Sequence, residues 1–357
     1  MTVATLPRLG FLGVGWIGRN RMEALAREGL AQVTALADPR AEALEAAAEV
    51  APSAGAAESL EELLEHELDG LVIATPSALH ADQAAAALER GLAVFCQKPL
   101  ARDAEETRRV LAAARAADRL LAVDLSYRHV EALRAAREQV AGGAIGEPHT
   151  LDLVFHNAYG PDKPWFTDPE LAGGGCLIDL GTHLVDLALW LTDSVVPFER
   201  HLSERNHVVE IEAARTLSLH GHAVEDHAIA ELALGGVRAR LACSWFTSAG
   251  RDCAFECTAW GSEGAVSVRN VGGSFYDFRA ELWRGTRSQP LGMPDLEARA
   301  GGGAGKDDGA DGADDWGGRA IGAWAERLRS DRGYDPAADE LELVAETIDA
   351  LYARAGR

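Results

Sequence analysis

The chain reads as a doubly wound α/β domain followed by a second domain, and three observations predict it. From Arg8 to about Asp124, short apolar runs alternate with amphipathic, alanine-rich stretches, the rhythm of a parallel sheet covered by helices. A glycine motif, Gly13-Val14-Gly15-Trp16-Ile17-Gly18, follows the first apolar run and opens the first amphipathic stretch. At 357 residues the chain exceeds one typical core and has the apolar content for two. The division is expected near residue 126, giving 1–126 and 127–357.

Strands are expected at Leu9–Val14, Gln32–Ala37, Leu71–Ala74, Ala93–Cys96 and Leu120–Asp124. Helical spacing runs through Ile17–Glu28, Arg40–Val50, Leu60–His66, Ala78–Arg90 and Ala104–Ala117. In the first strand-to-helix turn, Gly13 permits the tight bend, Gly15 lets a pyrophosphate reach amides at the helix N-terminus, and Gly18 lets helix and strand pack closely. Trp16 and Ile17, between those glycines, belong to the same cofactor-binding loop. Asp38 closes the second strand, where a carboxylate accepts hydrogen bonds from an adenosine ribose and repels a 2′-phosphate. That favours NAD, whereas Arg40 could receive a 2′-phosphate, so NADP stays open.

Later strands end on further candidates. Ligands of such sheets bind beyond the carboxyl ends of the strands. Thr75 and Pro76 leave the third expected strand, and His80 lies just inside the next helix; all three read as cofactor-side residues, His80 chiefly structural. Gln97 and Lys98 leave the fourth. A lysine held there can give a charged hydrogen bond to a substrate oxygen, or can be a solvated strand-end lysine.

The most informative run is Asp179-Leu180-Gly181-Thr182-His183. Residues four apart share a helix face, and this pair sits among Leu177, Ile178, Leu184, Val185 and Leu187. Two ionisable groups in an apolar segment need a reason beyond solubility. Alone, the pair also fits a helix cap and a core histidine. Gly173-Gly174-Gly175 comes just before it, read as backbone that approaches a ligand closely.

Composition narrows the partners. A net charge of −22 argues against nucleic acid and anionic membrane surfaces. Met1 to Pro7 lack a basic start and an apolar core, and no uninterrupted apolar stretch is long enough to span a bilayer, so a cytoplasmic location is expected. Cys96, Cys176, Cys243, Cys253 and Cys257 are scattered and read as reduced core residues. His220 and His222 with Glu225, Asp226 and His227 look like a metal cluster but read as a solvated edge, so no metal is expected. Residues 300–318, dominated by Gly, Ala and Asp, read as a surface loop or lid.

These landmarks, with Ala74-Thr75-Pro76-Ser77, Gln97-Lys98-Pro99, Tyr127-Arg128 and Gly142 to Gly146, give a chain that resembles the Gfo/Idh/MocA oxidoreductases over nearly its whole length. The resemblance implies a Rossmann domain followed by an α+β domain on a large, mostly antiparallel open sheet that supports a homodimer or homotetramer. Strand-like runs at Leu151–His156, Ala228–Leu234, Arg238–Ser244, Ala254–Trp260 and Ala265–Val268 agree with it, and Glu340–Ala353 is an amphipathic helix expected to return toward the first domain. It also implies that Lys98, Asp179 and His183 surround the reacting carbon of a sugar, inositol or polyol. Oxidising an alcohol needs a base near working pH, which makes His183 the candidate, with Asp179 orienting it and Lys98 stabilising the alkoxide-like oxygen, although Asp179 and His183 could share or exchange these roles. One departure stands out: the family motif begins with Glu where this chain has Gln97. Substrate contacts are expected from Tyr127, Arg128, His156, Asn157 and Trp165 besides Asp179 and His183. Two other activities fit the same residues: a glycoside hydrolase that retains NAD and oxidises its sugar transiently, and a non-catalytic sugar or nucleotide sensor.

Overall fold

Residues 5–193, 209–275, 277–291 and 316–357 are described by a computed structural model. The N-terminal sheet holds β1 (Arg8–Leu12), β2 (Gln32–Ala37), β3 (Gly55–Ala57), β4 (Gly70–Ile73), β5 (Ala93–Cys96) and β6 (Leu121–Val123), all parallel, in the order β3-β2-β1-β4-β5-β6. The order reverses between β1 and β4, which opens a crevice beyond their carboxyl ends. Every residue of β4 and β5 is buried, as expected where helices cover both faces. Those helices are α1 (Trp16–Glu28), α2 (Ala41–Val50), α3 (Leu60–Leu63), α4 (Ser77–Glu89) and α5 (Ala104–Ala117). The first strand ends two residues earlier than the apolar run does, because Gly13, at φ +84°, already turns the chain.

The second sheet has eight strands: β7 (Pro148–Asn157), β8 (Val209–Leu217), β9 (His227–Leu234), β10 (Val237–Ser244), β11 (Cys253–Gly261), β12 (Ala265–Asn270), β13 (Phe278–Arg284) and β14 (Arg287–Leu291). Their order is β14-β13-β12-β11-β7-β10-β9-β8, antiparallel throughout except for β7 with β10. Strand β7 shows how the sheet is used: Leu151, Leu153 and Phe155 point into the core while Asp152 pairs with Arg240 on the outer face. Helices α6 (Glu131–Ala141) and α8 (Thr182–Thr192) cover the inner face, and a short α7 (Pro169–Ala172) leads into the glycine triplet.

Two helices follow. α9 (Trp316–Ser330) packs on α1 and sets Trp324 against Phe95 of β5, with ring centroids 5.6 Å apart. α10 (Glu340–Ala355) lies between α5 and the second sheet: Asp349 accepts from the Ala104 amide at 2.9 Å, and Arg108 pairs with Glu342 at 3.0 Å.

Several elements were not among those expected. β3 is three small residues and β14 is exposed and holds Pro290, so neither shows a strong period, whereas α6 is plainly amphipathic, burying Ala132, Leu133, Ala136 and Val140, and was overlooked. The expected loop at 300–318 lies largely outside the described residues, but from Trp316 onward the chain is helical. The stretch Pro169–Thr192 is by length and composition long enough to cross a membrane, contrary to the expectation; 83% of its most apolar window is buried, and it serves as a core element. All five cysteines are buried free thiols.

Candidate active site

Lys98 leaves the carboxyl end of β5 and reaches the second sheet's helices. Its Nζ lies 2.5 Å from Asp179 Oδ1 and 3.0 Å from the Asp179 carbonyl oxygen. Asp179 is not on the α-helix proper but in a single π-helical turn, Leu177–Gly181, that runs directly into α8. Such turns pass one extra residue per hydrogen bond and concentrate at functional sites. The other oxygen, Oδ2, accepts from Trp245 Nε1 at 3.0 Å. Asp179 is therefore held by a lysine and an indole rather than by His183, which corrects the expected Asp179–His183 couple.

His183 sits one turn further on, 6% exposed, edge-on to Tyr127 with ring centroids 4.8 Å apart and near Phe155 at 6.3 Å. Its Nδ1 is buried without a hydrogen-bond partner. Burial, reinforced by the Lys98 charge, lowers the His183 pKa well below the usual imidazole value, which corrects the expectation of a base titrating near working pH; the ring is neutral at neutral pH.

The remaining expected substrate residues divide. Tyr127 is buried, stacked on Phe255 at 5.0 Å, and forms the floor beneath His183 rather than a wall open to ligand. Arg128 is spent on Asp186, at 3.0 Å from Nε and 2.6 Å from Nη2, and on Glu340 at 2.8 Å, tying α8 to α10. Asn157 Oδ1 accepts from the amides of Tyr159 and Gly160, both at 3.0 Å, and so closes a turn. His156 and Trp165 keep free surface. His156 contacts Ser244 at 2.8 Å, its pKa lowered by burial and by His227; Trp165 stacks on Phe166 at 3.8 Å, and Phe166 meets Trp245 edge-on.

On the cofactor side, a Cβ on Gly13 would come 2.5 Å from the Ala74 carbonyl, and one on Gly18 would come 2.1 Å from that of Gly13. Both positions demand glycine. Gly15 caps α1 with no side-chain bond, which leaves the first amides of the helix, from Trp16 and Ile17 on, available to an anion; the Trp16 ring is exposed beside them. Asp38 accepts from the Val14 amide at 2.9 Å and from Arg40 at 3.2 Å. Thr75 bonds Gln83 through its hydroxyl, and Pro76 precedes α4. His80 ties two ligand-side segments together: its nitrogens face the carbonyls of Pro99 at 2.7 Å and Thr75 at 2.8 Å, with its pKa lowered mainly by burial. A neutral ring donates to one of these oxygens; only the imidazolium donates to both.

Gln97 turns away from Lys98 into a closed cluster. Its amide nitrogen bonds Asp124 Oδ2; Arg21 Nε reaches the same oxygen at 2.6 Å, and Ser126 bonds Oδ1. Arg21 and Asp124 are both about 1% exposed. A glutamate at 97 would set a second carboxylate against one arginine, so the neutral amide keeps this buried cluster charge-matched.

The residues missed by sequence reasoning are Trp245, Arg21, Asp124 and Glu225. Asp124 was findable, since it closes a strand at the same end as Lys98. Glu225 and Asp226 were read as a solvated edge; they are 2% and 1% exposed, and among the described residues no three metal-ligating side chains cluster. The glycine triplet is likewise corrected. A Cβ on Gly174 would fall 2.0 Å from Tyr352 Oη and one on Gly175 would fall 1.9 Å from the Glu225 carbonyl, so these glycines admit protein groups, not a ligand.

A nucleotide-type sheet with an uncapped glycine helix, facing a lysine–carboxylate–imidazole group from a second sheet, defines a dinucleotide-dependent oxidoreductase architecture. Residues 7–125 match the oxidoreductase family with an NAD-binding Rossmann fold, residues 133–267 match the GFO/IDH/MocA C-terminal domain, and the chain belongs to the Gfo/Idh/MocA family. Curated relatives include the rhizopine catabolism protein MocA of Rhizobium meliloti, 32% identical over 52% of this chain and 57% of that protein. An inositol 2-dehydrogenase of Leifsonia xyli is 34% identical over 55% of this chain and 56% of its own length. The chain thus spans about half the length of the curated relatives it matches. Among solved structures, a 3-ketoreductase from Actinomadura kijaniata with NADP and TDP-benzene superposes with a TM-score of 0.79, at 22% identity over 98% of both chains. A levoglucosan dehydrogenase with NADH gives 0.79 at 19% identity, covering 98% of this chain and 97% of that one. At these identities the likeness is one of fold.

Proposed function

We propose that the protein is an NAD(P)-dependent dehydrogenase that moves hydride between nicotinamide and a secondary-alcohol or hemiacetal carbon of a sugar, inositol or related polyol. The observation that carries the reading is the meeting of Lys98, from the first sheet, with Asp179 beside the buried His183, from the second. Family membership and the sugar and inositol enzymes among its relatives support the same class. The uncapped N-terminus of α1 fits a pyrophosphate, and Gly13, Gly15, Gly18, Asp38 and Thr75 would hold the dinucleotide, which when bound supplies the hydride acceptor.

The chain's own residues supply the proton chemistry. His183, neutral at neutral pH, takes the hydroxyl proton; its sealed Nδ1 leaves Nε2 as the atom that exchanges it. Lys98 gives a charged hydrogen bond to the oxygen as negative charge develops there, while Asp179, fixed by Trp245, sets where the ammonium points. The Lys98 charge also disfavours the imidazolium, so His183 sheds its proton readily after transfer.

Asp38 supports NAD, with Arg40 keeping NADP accessible. The outer face of the second sheet, with Ile229 and Trp260 exposed, supports self-association as a dimer or tetramer, and the five buried thiols fit a reducing, cytoplasmic location. A division between domains at residues 126 and 127 is supported by Tyr127, which stacks on Phe255 of β11, and by Arg128, which pairs with Asp186 of α8. The test is reduced-nicotinamide absorbance with NAD and then NADP across aldoses, inositols, polyols and sugar acids. Turnover that Lys98→Ala abolishes supports the reading; no net reduction, with nicotinamide recovered from denatured protein, overturns it in favour of a hydrolase that recycles its cofactor.

A further inference from the structure

We infer that Glu225 is a positioning residue for Asp179, gathering the start of the π-helical turn and locking it to the end of α10. The inference rests on the dehydrogenase reading only for its effect on turnover. Glu225 Oε1 accepts from the Gly175 amide at 2.9 Å, the Leu177 amide at 3.0 Å and Tyr352 Oη at 2.7 Å, and its backbone oxygen accepts from the Cys176 amide at 2.9 Å. Three consecutive amides that open the turn are thus held by one residue. The Gly175 carbonyl then accepts from the Asp179 amide at 3.1 Å, so the backbone that carries the carboxylate sits one hydrogen bond from this anchor.

The next residue braces the other side. The Asp226 carbonyl accepts from the Trp245 amide at 2.8 Å, and Trp245 holds Asp179 Oδ2. Residues 225 and 226 therefore bracket Asp179 from both ends of its hydrogen-bond set. The buried charge of Glu225 is matched by the Arg357 guanidinium on Oε2, and Arg357 also lies over the Tyr352 ring, 4.9 Å from its centroid. Because α10 is pinned to α5 through Asp349 and Glu342, the geometry links the first sheet's helices to the catalytic turn by way of Tyr352 and Glu225. Gly174 and Gly175 are glycine because Tyr352 and Glu225 occupy the space that a Cβ would need.

The test compares Glu225→Ala with Glu225→Gln in the full-length protein. The amide oxygen of the glutamine still accepts from Gly175 and Leu177, while Arg357, a third exposed, can turn to water. Glu225→Ala is expected to lower kcat about a hundredfold, the scale of a small misplacement at a reacting centre, with cofactor KM unchanged, and Glu225→Gln to recover most of it. Amide hydrogen exchange at Gly175 and Leu177 is expected to quicken in Glu225→Ala alone. Equal loss in both variants, or faster exchange with kcat within about twofold of the parent, overturns the positioning role. Should Glu225→Ala not fold, Tyr352→Phe, which removes one donor to the same oxygen, must show a smaller kcat loss and the same exchange pattern; unchanged exchange there also overturns it. A parent protein with no turnover on any sugar refutes the dehydrogenase reading, and the exchange data then decide the anchoring by themselves.

Discussion

Gln97 and Lys98 are neighbours at the end of β5, and they enter two polar clusters of opposite character. Around Asp124 every capacity is filled: Arg21, Gln97 and Ser126 saturate the carboxylate, and nothing there is open to solvent. Around Asp179 capacity is left over. Lys98 keeps 19% of its side chain exposed, and His183 buries an Nδ1 with no partner. A buried polar group is tolerated cheaply only when satisfied, so the saturated cluster reads as architecture and the unsaturated one as chemistry.

The largest expected effects separate the two clusters. Lys98→Met removes the charge that meets the developing alkoxide and is expected to lower kcat about a thousandfold, by steady-state absorbance, with little change in Tm. His183→Asn is expected to cost about a hundredfold or more in kcat, with cofactor binding by fluorescence titration unchanged. In the other cluster, Asp124→Ala strands the buried Arg21 and is expected to cost ~3–5 kcal/mol in chemical denaturation while turnover per folded molecule holds.

Gln97→Glu sharpens the contrast through pH. The introduced carboxyl would sit against Asp124, which raises its folded pKa above its unfolded one. Its penalty is then small in acid and grows as pH rises through the folded value, so denaturation midpoints of parent and variant should diverge from pH 5 to pH 8. The histidines act with the opposite slope. His183, His80 and His156 all have folded pKa values lowered, chiefly by burial, so unfolding takes up protons below the ordinary imidazole value. Parent stability should fall as pH drops through about 6.5, and His183→Asn should flatten that fall. The smallest effect concerns the cofactor: Arg40→Ala should shift the ratio of kcat/KM toward NAD by about tenfold, because Asp38 loses the cation that offsets its repulsion of a 2′-phosphate.

Much of this was legible in the residues. The strand-glycine-helix order fixed the first sheet, because parallel strands are apolar throughout and their turns carry diagnostic glycines. Asp179 and His183 were found as unusual polar groups in an apolar run, and Lys98 by its place at the carboxyl end of a strand and by the family resemblance. Their partnerships were not legible. Whether Asp179 meets His183 or Lys98 depends on a π-helical turn that shifts its side chain, and no periodicity distinguishes that turn from an α-helix. Glu225 was misread for a related reason: its neighbours His220 and His222 are polar, and only the tertiary approach of Gly175 and Leu177 shows that its carboxylate is buried against amides. Strands β8 and β14 escaped because both are edge strands with little buried face, whereas β13, which turns Phe278, Ala280 and Leu282 inward, alternates regularly and was overlooked.

The most direct test measures kcat and unfolding free energy together for Lys98→Met and Asp124→Ala. The account predicts a crossed result, with turnover lost and stability kept in the first, and stability lost and turnover per folded molecule kept in the second. Parallel losses in both, or a Lys98→Met protein that turns over like its parent, would contradict it.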